Sequence, residues 1–106
     1  MKTLNQNTNS ENFQESKLFF ENTESIYNVA WHICLQVAKR MRKNLPVDFD
    51  HLADCSTVKA IASMTNREAA KYGEKPLRTR KDFADFKVYV AARVIEWADY
   101  EVKKIV

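Results

Sequence analysis

"RKDFADFKVYVAARVIEWADYEVKK", Arg80 to Lys104, runs 25 residues without a glycine or a proline. Ala84, Val88, Ala91, Ile95, Ala98, Val102 and Ile105 recur every three or four positions, the period of a helix. Phe83, Phe86, Val90, Val94 and Trp97 widen that stripe, while Val88, Tyr89 and Ala92 point away from part of it. At 1.5 Å per residue the segment reaches ~37 Å, longer than the body of a small bundle. Thr79 stands where an N-cap belongs. Asp82, three positions on, supports the first turn as a weaker relative of the capping box.

The scarcity of breakers extends to the whole chain of 106 residues, which has one glycine, Gly73, and two prolines, Pro46 and Pro76. An all-β fold needs many turns, and turns consume Gly, Pro, Asn and Asp. The expected fold is therefore all-α: a small helical bundle of four to five helices with a long C-terminal helix. Residues 1–10 are polar with two scattered aliphatics and are expected to be a disordered tail. Residues 11–106 are expected to form a single helical domain.

A short helix is expected from Phe13 to about Asn22. A second long one follows from Ile26 to Lys43, with Thr23 or Ser25 as cap. Its apolar residues include Val29, Ala30, Ile33, Val37, Ala38 and Met41. Tyr27, Trp31, Cys34 and Leu35 extend the apolar surface round most of the girth, so this helix is expected to be central and touched from several sides. Pro46 is expected to force its stop. A short helix over Phe49–Ala53 is capped by Asp48 or Asp50. Ser56 opens a further helix with Val58, Ile61, Ala62, Thr65, Ala69 and Tyr72 on one face, closed by Gly73.

Net charge is +3 but unevenly spread. Residues 26–47 carry four cations and no anion, and residues 55–81 carry seven cations and two anions. Two clusters result: Lys39, Arg40, Arg42 and Lys43, then Arg67, Lys71, Lys75, Arg78, Arg80 and Lys81. Placed on one face they would meet an acidic surface, either of a protein or of a phosphate backbone. The first cluster followed by Asp48, Asp50 and Asp54 is also the charge order of a plain helix–turn–helix joint, with cations at one helix end and anions at the next start.

Catalytic and metal chemistry find little support. His32 and Cys34 stand ~200° apart on a helix and cannot face one ion. His51 and Cys55 are one turn apart, which supplies at most one ligand pair. The aspartates lack the turn glycine and terminal glutamate of a calcium loop. A single glycine cannot build a phosphate cradle. No enzyme activity, cofactor or metal is expected. With two cysteines and no apolar secretory core or membrane-length run, the expected setting is cytoplasmic, with no membrane.

The function expected is that of a small regulatory or inhibitor-like protein, of the mobile-element accessory kind, that binds another macromolecule. A protein partner with an acidic surface, met through a basic and aromatic surface, is expected first. A nucleic-acid-binding accessory using clusters 39–43 and 67–81 is the alternative. The spacing in the last helix also permits a homodimer through that helix.

Overall fold

The computed structural model describes residues 11–104; the expectation of a loose tail over residues 1–10 lies outside them. Five helices follow one another among the described residues, with no strand: α1 (Glu11–Asn22), α2 (Glu24–Arg42), α3 (Phe49–Ala53), α4 (Ser56–Ala70) and α5 (Arg80–Lys104). The fold is an all-α bundle with a long C-terminal helix.

Local chemistry explains the boundaries. Thr23 sits at the N-cap of α2 without a side-chain hydrogen bond, whereas Asp48 Oδ1 accepts from His51 N–H at 3.1 Å and caps α3. At the start of α5 the capping box is complete and reciprocal. Thr79 Oγ1 accepts from Asp82 N–H, and Asp82 Oδ2 accepts from the N–H groups of Thr79 and Arg78, all at 3.0 Å. After α4 the chain turns through Gly73 at φ +77°. Glu74 N–H donates to Ala69 O and Gly73 N–H to Ala70 O, the two bonds of a Schellman closure.

The end of α2 departs from the sequence expectation. The stop comes two residues before Pro46, at Asn44, whose φ is +58°. Leu45 N–H reaches back to Arg40 O and Asn44 N–H to Met41 O, a second Schellman closure with asparagine in the glycine place. Asparagine tolerates the left-handed conformation because its short polar side chain relieves part of the steric cost. The proline then only keeps the chain from resuming the helix.

One continuous core runs from Phe20 through Ile26, Val58, Ile61 and Leu77 to Phe86 and Val94. Phe20 is fully covered and meets Phe86 edge-on at 6.0 Å, Tyr89 edge-on at 6.0 Å and Trp97 stacked at 6.1 Å. It ties α1 to α5. The Tyr89 hydroxyl donates to Glu21 along the same seam, and burial with that bond holds the phenol well above its usual range. The two buried polar residues among those described are satisfied inside their own helices, Ser16 Oγ donating to Phe13 O and Thr65 Oγ1 to Ile61 O. The loop after α4 reaches into the core as well. Leu77 is buried, and Asn66 pins it by accepting from its N–H at 3.0 Å and donating to its carbonyl at 2.8 Å.

The expected phase of the α5 stripe needs correction. The buried stripe of α5 is Phe86, Val90, Ala91, Val94 and Ala98, so Ala84 and Val88 of the expected stripe face solvent. The aromatic Phe86 and the valines displace the alanine-led phase because they bury more apolar area. As expected, α2 is central and touched from several sides, by α1, α4 and α5; Tyr27 and Leu35 are exposed and Trp31 is half-buried on the side that no described element covers. Tyr72 is likewise exposed, lying beyond the end of α4.

Replacing Phe86 with Ala is expected to lower unfolding free energy by about 3–5 kcal/mol in urea melts, since it empties a fully enclosed site. Asn66→Ala is expected to cost ~1–3 kcal/mol, because it leaves the half-buried amide and carbonyl of Leu77 unpaired. A neutral result for Asn66→Ala would show that the loop is held by Leu77 packing alone.

Candidate docking groove between α2 and α3

The chain between Lys39 and Asp54 folds back on itself in a way its charges alone do not disclose. The Arg40 guanidinium donates twice to Pro46 O, from Nε at 3.1 Å and Nη2 at 2.9 Å. That clamp, the Asn44 closure and the Asp48 cap fix the turn. The result is a groove of about 820 Å³ between α2 and the start of α3. Its floor is apolar, with Ile33 and Val37 from α2 and Val47, Leu52 and half-buried Cys55 from the other wall. Gln36, Arg40, Asp48, His51 and Thr57 form its polar margin.

On the α2 side Gln36, Lys39, Arg40 and Lys43 stand at i, i+3, i+4 and i+7, one exposed face beside the groove. The Lys39 and Lys43 side chains make no hydrogen bond or ion pair among the described residues. Across the groove, most negative charge is already engaged. Asp48 caps α3, and exposed Asp54 lies 3.2 Å from Lys87 Nζ and 3.8 Å from Lys59 Nζ. The hydrogen bond from Lys87, then the charges of Lys59 and Lys87, hold the Asp54 carboxyl below its usual range.

All ten candidate cations are exposed, but the structure does not gather them. Arg67 and Lys71 share a cleft with Ser25 and Ile26 at the start of α2, whereas Lys39 to Lys43 lie at its end. From Ile26 to Arg40 the helix rises ~21 Å, so two separate patches exist. Several cations also serve the fold. Arg42 Nη2 donates to Glu101 O at 3.4 Å, and Arg78 Nε to Lys75 O at 2.6 Å. Lys71 pairs with Glu68 at 2.9 Å and Lys81 with Asp85 at 3.4 Å. Arg67, Lys75 and Arg80 have no such partner among the described residues.

Cys34 is fully buried, and burial, with the Glu101 charge adding, pushes its thiol up to about 11, which suppresses the nucleophilic thiolate. His51 and Cys55 both line the groove, but among the described residues no three His, Cys, Asp or Glu side chains converge. No described helix is long and apolar enough to cross a membrane.

No family model matches the chain, and neither a curated protein nor a solved structure matches it. The groove therefore stands on its own geometry. Sequence reasoning found its cations and missed its floor. The available signal was Val47 and Leu52, aliphatics set among the aspartates of that stretch.

A carboxyl whose folded pKa is depressed stabilises above its unfolded value, and that contribution is lost as pH falls through the folded pKa. Asp54 is accordingly expected to titrate below the ordinary carboxylate range in a carboxyl-detected NMR titration. Lys87→Met should move its midpoint back up. An unchanged midpoint in that variant would assign the shift to Lys59 instead.

Proposed function

We propose that this chain is a non-enzymatic, inhibitor-like regulatory protein that acts in the cytoplasm by seating a segment of another protein in the α2–α3 groove. The observation that carries the reading is an open apolar groove whose α2 wall presents Lys39 and Lys43 without carboxylate partners. An apolar floor provides affinity at ~25 cal/mol for each Å² covered. Unpaired lysines at the rim select a partner with acidic residues and speed its approach, and salt should weaken them. An amphipathic helix with an acidic margin fits this surface by the helix-in-groove mode. Arg40, held by Pro46, is already oriented, so little side-chain freedom is lost on docking.

Nucleic acid fits less well. A strand following both basic patches would have to reach from one end of α2 to the other. The first cluster holds no aromatic side chain and the second only Tyr72, so no row of aromatics is available to stack successive bases. The groove floor would also have no role in binding a phosphate backbone.

The test compares the chain with a Lys39→Glu/Lys43→Glu variant, both checked for unchanged circular dichroism. The native chain is expected to retain a stoichiometric protein from its source cells, with at least tenfold loss in the variant and at high salt, and no gel shift with duplex or single strands. A nucleic-acid shift abolished by the charge reversal would replace this reading with the alternative. A captured protein indifferent to both salt and charge reversal would move the site elsewhere.

A further inference from the structure

A second surface lies where α2 and α5 meet. Tyr27, Trp31 and Leu35 stand at i, i+4 and i+8 on the uncovered side of α2, and Trp97 and Tyr100 of α5 adjoin Tyr27 and Trp31. Exposure is 39% for Tyr27, 42% for Leu35 and 69% for Tyr100, far above what an aromatic side chain in a core would keep. The patch is stiff. Trp97 stacks on buried Phe20, Tyr27 lies 5.2 Å from Trp97, and the Tyr27 and Trp31 rings are within 14° of parallel at 6.2 Å. Rigid aromatic area of this kind is what hot spots at protein interfaces are made of.

The charges round the patch say what covers it. Arg93 and Lys104 are balanced by Glu96 and Glu101, each cation paired with its neighbour in the chain. The rim is neutral, so it does not select a strongly charged partner. Its order along the helix is what matters. Arg93, Trp97 and Glu101 fall at i, i+4 and i+8 on one line of α5, a cation and an anion placed symmetrically about a tryptophan. Two such helices laid antiparallel about Trp97 set each Arg93 opposite the other copy's Glu101. Parallel pairing sets Arg93 against Arg93. A twofold shifted to lie between Ala98 and Asp99 sets Arg93 against Lys104 and Glu96 against Glu101. Both of those bring like charges together, so the rim disfavours them relative to the antiparallel register centred on Trp97.

We infer that the chain pairs with a second copy of itself through this patch, with the two α5 helices antiparallel and crossing at Trp97. The interface is isologous, as closed dimers require. The exposed parts of the five apolar side chains amount to roughly 400 Å² per chain, taking about 200 Å² for an aromatic side chain. Two copies together with their charged rims thus reach the ~1,000 Å² of a specific interface. Ile33 and Val37, in the groove proposed to seat another protein, lie on the opposite side of α2 from Trp31 and Leu35. The dimer would leave both grooves open and present them to a partner as a pair.

Sedimentation and light scattering of the full chain from about 1 to 100 µM decide the matter, a span that covers micromolar association. The expected mass is twice the 12.4 kDa of one chain. Tyr100→Arg should return the single-chain mass with unchanged helical circular dichroism, since that side chain is exposed. Arg93→Glu should weaken association at least tenfold, and adding Glu101→Arg should restore it. A single-chain mass at the highest concentration would overturn the inference. So would a dimer indifferent to Tyr100→Arg, which would place the contact elsewhere. Loss of groove binding in the lysine variant leaves this mass unchanged, so the two proposals fail separately.

Discussion

The contact between α2 and α5 is built around small buried residues. Ala30, Cys34 and Ala38 repeat every four positions on α2, Ala91 and Ala98 lie on α5, and all are fully covered. Side chains of that size let helix backbones come close, and α2 with α5 forms the most extensive helix–helix contact of the fold. Ile33, Val37, Val90 and Val94 fill the space on either side. Close approach of two long helices leaves each with a wide uncovered arc. Beyond the cover that α1 and α4 provide, the short α3 partly closes one arc, which makes the groove, and no described element covers another, which leaves the aromatic patch.

Phe20 closes this arrangement from the N-terminal side. Its ring meets Phe86, Tyr89 and Trp97, so a single α1 residue grips a stretch of about three turns of α5. Aromatic contacts of this geometry contribute about 0.5–1.5 kcal/mol each beyond the area they cover. The same ring backs Trp97 from beneath, which is why the exposed patch above it has fixed geometry rather than a set of loose side chains.

Arginine and lysine divide their labour in this chain. Arg40, Arg42 and Arg78 each hold a backbone carbonyl, for Arg42 that of Glu101 in the last turn of α5, where carbonyls lack helical partners. The planar fork of guanidinium suits that task, while a lysine ammonium is a mobile, strongly hydrated point charge. The lysines are accordingly left at the surface, paired weakly with nearby carboxylates or with none. A basic cluster read from composition therefore overstates the charge available to a partner.

Much of the fold was legible because its signals are local. The unbroken run from Arg80 to Lys104, the Thr79–Asp82 cap, the short helix after Asp48 and the Gly73 closure each depend on neighbours within four residues. Long-range placement was not legible. Leu77 in a loop gave no sign of being core, since Asn66 and the surrounding helices put it there. The phase of the α5 stripe depended on Phe20 arriving from α1. The distance between the two cation clusters depended on α4 docking beside the start of α2. The sequence by itself determined an all-α bundle, its helix ends and its cations, because hydrogen bonds and periodicity act along the chain. Only the tertiary structure decided which apolar residues stayed uncovered, because that depends on how few helices are present to cover two long ones.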